Sequence, residues 1–290
     1  MTKLSRRQEL LAVLALLFVG LWWGAAFVTM KAVIDQQPVA DFLAARFTVA
    51  AVSMAAIYPK AFKGLKRRDV GRGLALGGIL GSAYVTQTIG LLLASAAITG
   101  FLTGIYVVAT PLIAWVLLRE RVSGRVLIGT LLATVGLAMI SLNFDQGISF
   151  EFNHIWTIVS AFLFAAHIVG LSRWSRGINA YALTVLQLTA VAIVCWALAL
   201  VDGFQPPPTF ESWAVVVFTA LFATALAFLV QTWAQARMDA SRVAIVLTSE
   251  VVFTAVIAVA VGQETLLPRV IIGGVVLMSA MLVVEWPSKK

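Results

Sequence analysis

Charge is scarce in this chain: 12% of its 290 residues are charged, about half the ~25% usual in soluble domains. Hydrophobic residues make up 61% and the mean hydropathy is +0.98, which excludes a cytosolic enzyme. Cysteine is scarcer still. The lone Cys195 closes no intrachain disulfide and matches no metal-ligand spacing, so neither redox chemistry, nor zinc, nor any other cofactor has support. The chain also lacks HExxH, GxSxG and an acidic cluster, which removes the usual supports for a membrane-embedded enzyme. It has no ATP-binding P-loop and no readable ring of filter residues, so neither primary active transport by this chain alone nor a channel is indicated.

Apolar runs are what the sequence does have. A bilayer core takes about 20 apolar residues per helix, and runs punctuated by charge, Gly or Pro predict ten spans. They lie near 10–33, 41–60, 71–92, 97–118, 122–141, 153–173, 180–201, 211–236, 240–262 and 268–285. The first has a basic lead (Lys3, Arg6, Arg7) like a signal peptide, but its apolar run is longer than a signal h-region and lacks a small-residue cleavage site. We read it as a retained span.

The net charge of +8 would suggest nucleic acid as partner in a soluble chain. Here 18 of the 21 Lys and Arg fall at the termini and in alternate loops: Lys3 to Arg7, Lys60 to Arg72, Arg119 to Arg125, Arg173 and Arg176, Arg237 and Arg242, Lys289 and Lys290. The opposite loops hold Asp35, Asp41, Asp145, Glu151, Asp202, Glu211 and Glu264, with Arg269 the clear basic exception. Short loops obey the positive-inside rule, so both termini are expected in the cytoplasm and nucleic acid is not an expected partner.

Sliding the chain against itself by 144 residues matches Glu120, Arg125, Val126, Ile128 and Gly129 with Glu264, Arg269, Val270, Ile272 and Gly273. The same shift matches Gln87 with Gln231, Ala96 with Ala240 and Tyr84 with Phe228. Five spans per unit is an odd number, so tandem copies lie in opposite orientations. The expected fold is an all-α integral membrane protein of ten transmembrane helices, built as two inverted five-helix repeats over 1–143 and 144–290. The fifth and tenth spans, poor in polar residues, are expected at the periphery.

Ionisable groups within spans are costly and mark function. Lys31 and Arg46 read as lying near the outer ends of their spans, where they snorkel. Glu250, in the ninth span, and His167, in the sixth, fall deep enough to meet; Glu250 could bind a substrate cation, bind a coupling proton, or anchor a neighbouring helix. Thr99, Thr103, Tyr106 and Thr110 share one helix face, as do Thr224, Phe228, Gln231 and Gln235. Trp23, beside Gly24, is a better ligand candidate than Trp22, which reads as packed or lipid-facing. The set expected at a midplane cavity is therefore Trp23, Tyr84, Thr103, Tyr106, His167, Gln231 and Glu250. Pro111, well inside the fourth span, reads as a hinge or a static kink. The small-residue ladders Gly73, Gly77, Gly81, then Gly20, Gly24, and Gly100, Gly104 read as close helix packing.

The stretch from Thr99 to Leu112, followed by Leu118-Arg119-Glu120-Arg121, resembles the end of the first repeat in EamA-type proteins of the drug/metabolite transporter superfamily. Thr248 to Phe253 and Gly262-Gln263-Glu264 echo it, and Trp23-Gly24 with Phe27 opens the first span as in that family. The family often has proline after the glutamate of the ninth span, where this chain has Val251. The resemblance covers nearly the whole chain. It implies a secondary transporter exporting small metabolites, amino acids foremost, from a bacterial inner membrane, with lipid and a small molecule as partners and a proton as a candidate coupling ion. A phosphate-ester or nucleotide-sugar exchanger of related fold would want two or more deep Lys or Arg; Lys31 and Arg46 read as too near one edge to supply them.

Overall fold

In the computed structural model, residues 6–34, 36–93, 96–119, 122–142 and 152–286 are described. Among them every regular element is helical. We number the spans α1 (Arg6–Ile34), α2 (Val39–Ile57), α3 (Arg67–Leu93), α4 in two halves (α4a, Ala96–Gly104; α4b, Tyr106–Leu118) and α5 (Gly124–Ser141). The second set is α6 (Ile155–Trp174), α7 (Ala180–Ala199), α8 in two halves (α8a, Phe210–Ala220; α8b, Ala227–Gln235), α9 in two halves (α9a, Ala240–Leu247; α9b, Ser249–Ala260) and α10 (Pro268–Glu285). Nine of these are long and apolar enough to cross a membrane. The tenth, α3, has 27 residues but is diluted by Gly, Ser, Thr and Gln; it packs against α6 and α7. The expected boundary between residues 143 and 144 lies outside the described residues.

Local chemistry fixes the helix starts. Ser123 caps α5 by accepting from Val126 N, Asn179 caps α7 by accepting from Tyr181 N and Ala182 N, and Thr209 caps α8a by accepting from Ser212 N. Pro268 opens α10, at the position where its missing N–H has no helical partner anyway.

Four contacts display the relation between the halves. Arg125 Nη1 donates to Trp286 O at 2.7 Å, across the end of α10, and Arg269 Nη1 donates to Leu142 O at 2.7 Å, across the end of α5. Gly129 faces Ala280, and Gly136 faces Gly273. Adding 144 to one member of each pair and subtracting it from the other converts each contact into its mate. A self-complementary set of this kind is the mark of a two-fold relation, with α5 and α10 crossing at the axis. Arg269 therefore sits in a loop expected to be poor in basic residues because it caps the carbonyls of Met139, Ile140 and Leu142.

The other glycine ladders divide. Gly20 and Gly24 bring α1 against the backbone of α9b at Glu250 and Thr254, and Gly73, Gly77 and Gly81 seat α3 on α7. Gly100 does not pack: a side chain there would meet nothing within 4 Å, so the expected Gly100/Gly104 ladder is a contact only at Gly104, against Leu137.

Three helices are irregular at mid-depth. α4 breaks at Ile105 and α9 at Thr248, and each break lies 14 residues before a left-handed residue, Arg119 (φ 54°) or Gly262 (φ 73°). By this backbone register Glu250 answers to Val107, one residue from Tyr106, the counterpart under the 144-residue shift. The break in α9 forms without a proline, beside Val251. In α8, Leu221–Leu226 winds as a π-turn. Such turns hold one extra residue per turn and often lie at functional sites.

Candidate functional site

All seven expected side chains border one chamber between the halves. Trp23, Tyr84, Thr103, Tyr106, His167, Gln231 and Glu250 line it, with Phe164 and Phe228 adding aromatic wall. Its volume is about 130 Å³, and it shares Phe27, Gln87, Thr103, Tyr106 and Glu250 with a vestibule of about 550 Å³. The vestibule is bordered by the 262–265 loop after α9, by Ile140 and Ser141 ending α5, and by Arg269 at the start of α10. Glu250 thus stands at the junction of the two spaces.

The opposite end of the bundle is tied by charge. Arg242, opening α9, holds Glu285, closing α10, in a two-bond pair at 3.0 and 2.5 Å, and lies 4.0 Å from Glu9 at the start of α1. Since α9 runs from Arg242 to the 262–265 loop, this tie and the vestibule are at opposite ends of the same helix.

Several lining groups already have partners. Trp23 Nε1 donates to Ala223 O at 2.9 Å, and Gln87 Nε2 donates to Thr103 Oγ1 at 3.3 Å. His167 Nε2 donates to Gln187 Oε1 at 2.7 Å, inside a polar cluster with Thr184 and Thr232 on α7 and α8b. The contact anticipated between His167 and Glu250 is not made; the α7 amide reaches the imidazole first. Tyr84 stands in an aromatic set with Phe47, Phe164 and Phe228 at 5.1 to 6.5 Å between centroids. Trp22 does as expected of a packed residue, stacking on Phe222 at 4.7 Å and meeting Phe18 edge-on.

Other groups at the chamber are left open. Gln231 is 2% exposed, yet its Oε1 has no hydrogen-bond partner, and Thr99 Oγ1, also on the lining, has none. No described side chain hydrogen-bonds or ion-pairs with the Glu250 carboxylate; its backbone carbonyl accepts from Thr254. Unpartnered buried polar atoms are costly unless something fills the space they face. The stripes are used only in part. Thr110 turns back to Tyr106 O, and Gln235 leaves the chamber to reach Ile168 O and Ser172.

One lining residue corrects the sequence expectation. Arg46 does not snorkel: it is 3% exposed and lines the chamber. The helix begins at Val39, two residues earlier than expected, so Arg46 is its eighth residue of 19 and lies about 10 Å in. Its Nε donates to Thr224 Oγ1 at 2.6 Å, Nη2 to Ala223 O at 3.3 Å and Nη1 to Met30 Sδ at 3.2 Å. Both α8 partners lie on the π-turn, whose loosened backbone offers the Ala223 carbonyl to Trp23 and Arg46 together. The sequence signal was a single Arg inside an apolar run. Of Lys31, also expected to snorkel, only the backbone is described. Among the described residues no His, Cys, Asp and Glu cluster could hold a metal.

A ten-helix membrane protein of two inverted halves, with broken helices meeting at a buried chamber, has the architecture of a transporter. The match to the EamA-like transporter family model covers residues 10–142 and 152–286, and the chain belongs to that family. An uncharacterized transporter of Archaeoglobus fulgidus is 31% identical over 279 residues, which is 96% of this chain and 87% of that protein. A solved crystal structure, described only as that of a protein, shares the fold with a TM-score of 0.83 at 17% identity, over 95% of this chain and 98% of the other.

Proposed function

We propose that this transporter exports small metabolites, amino acids with neutral and aromatic side chains foremost, by alternating access around the midplane chamber, and that it resides in a bacterial inner membrane with both termini in the cytoplasm. The observation that carries the reading is the chamber itself. It gathers aromatic walls, two unpartnered polar atoms and one free carboxylate where two broken helices meet.

Its size favours a compact solute. Drug-sized ligands occupy about 300–1,000 Å³, and this chamber offers about 130 Å³ before the vestibule begins. A phosphate ester would want several cations. Among the described residues Arg46 is the one Lys or Arg on the chamber; Arg269 borders only the vestibule, where its Nη1 is spent on three carbonyls. Alternating access follows if the Arg242–Glu285 tie opens while the vestibule closes, exchanging the roles of the two halves.

Reconstitution into liposomes tests the reading, using a labelled panel of amino acids, nucleotides, sugar phosphates and amines. Uptake or counterflow of neutral and aromatic amino acids is expected. Transport of sugar phosphates with no amino acid moving would overturn it.

A further inference from the structure

We infer that Arg46 and Glu250 form a two-charge recogniser for a zwitterion, the guanidinium taking the α-carboxylate within the chamber and the carboxylate taking the α-ammonium at its junction with the vestibule. The inference rests on the amino-acid reading above and goes beyond it by assigning each end of the substrate to a side chain.

Three observations support it. First, both residues line the same chamber, yet no ion pair joins them. Opposite charges facing one apolar space without touching leave room for a molecule that carries both signs. Second, the guanidinium is held but not exhausted. It has five N–H donors, and three are engaged, by Thr224, Met30 and Ala223. One remains on each terminal nitrogen, free to donate to a carboxylate. No described carboxylate pairs with it, and a buried charge without a counter-charge is costly. A bound carboxylate relieves that cost. Third, the two residues border different spaces. Arg46 borders the chamber alone, whereas Glu250 borders chamber and vestibule. The substrate is therefore oriented with its carboxylate on Arg46 within the chamber and its ammonium on Glu250 toward the vestibule, while its side chain lies among Trp23, Tyr84 and Phe228 on a wall that also holds the open Gln231 Oε1 and Thr99 Oγ1. Arg46 comes from the first repeat and Glu250 from the second, so a bound zwitterion ties the halves together through its own charges.

Competition against labelled amino-acid uptake in proteoliposomes tests this without any mutation. The probes are L-phenylalanine and L-leucine, their decarboxylated forms phenethylamine and isopentylamine, and their deaminated forms 3-phenylpropionate and 4-methylpentanoate. Each one-charge probe is expected to compete about 10- to 100-fold more weakly than its amino acid, the loss that goes with a charged hydrogen bond. Arg46→Gln should erase the preference for L-phenylalanine over phenethylamine and keep the preference over 3-phenylpropionate; Glu250→Gln should do the reverse, and Arg46→Lys should restore part of the first preference. Equal competition by all probes against the wild type overturns the recogniser and leaves the amino-acid reading intact. A monodisperse Arg46→Gln protein that loses all three phenyl probes equally also overturns it, making Arg46 a positioning residue for the π-turn. If no amino acid is transported while another solute is, the amino-acid reading falls and the recogniser with it. Where Arg46→Gln does not fold, the wild-type panel alone decides.

Discussion

Trp23 and His167 are repeat counterparts that meet the chamber in different ways. Trp23 spends its only N–H on Ala223 O and lies 5.7 Å from Phe228, so what it offers a ligand is its ring face. Trp23→Ala should lower substrate affinity about tenfold, near the upper range for an aromatic pair, in a protein that remains monodisperse; unchanged affinity across the panel would place Trp23 in packing alone. His167 is tied through Nε2 to Gln187, whereas the Glu250 carboxylate has no hydrogen-bond partner and faces Arg46, Tyr84, Tyr106, His167 and Gln231 around the chamber. Glu250→Gln should therefore flatten the pH profile of transport, and His167→Asn should slow transport while keeping the wild-type profile. Liposome rates measured from mildly acidic to mildly alkaline pH check both, and an unaltered profile in Glu250→Gln would remove this carboxylate from any proton role. The place of these residues on the chamber was legible in the sequence because polar and aromatic groups within apolar spans seek one another, although Thr110 and Gln235 show that such groups also serve helix packing. Arg46 was misjudged because its depth depends on where α2 begins, and the expected span starts at Asp41 although Pro38 marks the earlier start at Val39.

Among the elements, α5 and α10 are joined by backbone proximity. A Cβ on Gly136 would lie 2.7 Å from Gly273 O, and one on Gly273 would lie 2.8 Å from Gly136 O. Either Gly136→Ala or Gly273→Ala should destabilise the protein by about 1–3 kcal/mol, the usual effect of overpacking. Because the contact is symmetric, the two losses should be similar. Gly100→Ala is the control: it faces open space on α4a, and trading glycine for alanine in a helix should stabilise by about 0.4–1 kcal/mol. Thermal unfolding in one detergent measures all three, and a Gly136→Ala protein as stable as wild type would contradict the close crossing. The ten spans themselves were readable, since apolar runs and charged punctuation decide them. The breaks at Ile105 and Thr248 and the π-turn were not: the α9 break has no proline nearby, and the π-turn is held by Arg46 and Trp23 from two other helices. Pro111 lies inside α4b, six residues beyond the break in that span, so its ring is not the point at which α4 divides.

At the scale of the molecule, the repeat was visible in the sequence because its recurring residues are structural: Arg125 and Arg269 cap each other's partner helices, and Gly129 and Gly273 serve the same crossing. What breaks the symmetry is charge. The tie at one face uses Arg242, Glu285 and Glu9, and under the 144-residue shift the first two answer to Ile98 and Ser141, which cannot form an ion pair. The vestibule opens beside Ser141, at the face without the tie. With both termini in the cytoplasm, as proposed from the alternating basic loops, the tied face is the cytoplasmic one and the conformation described is open outward. In a background where Cys195 is replaced by Ser, Ser141→Cys and Thr265→Cys should react with an impermeant thiol reagent added outside right-side-out vesicles. Adding Glu285→Gln loosens the tie and leaves Arg242 without its two-bond partner. Under the proposed alternating access that change should lower the outside labelling of both cysteines, because opening of the inner face is then coupled to closure of the vestibule. Reporter fusions at each terminus fix the frame and should both read cytoplasmic. Labelling of Ser141→Cys only from the inside would invert the orientation. Outside labelling unaffected by Glu285→Gln would mean that the tie holds helices together without gating them.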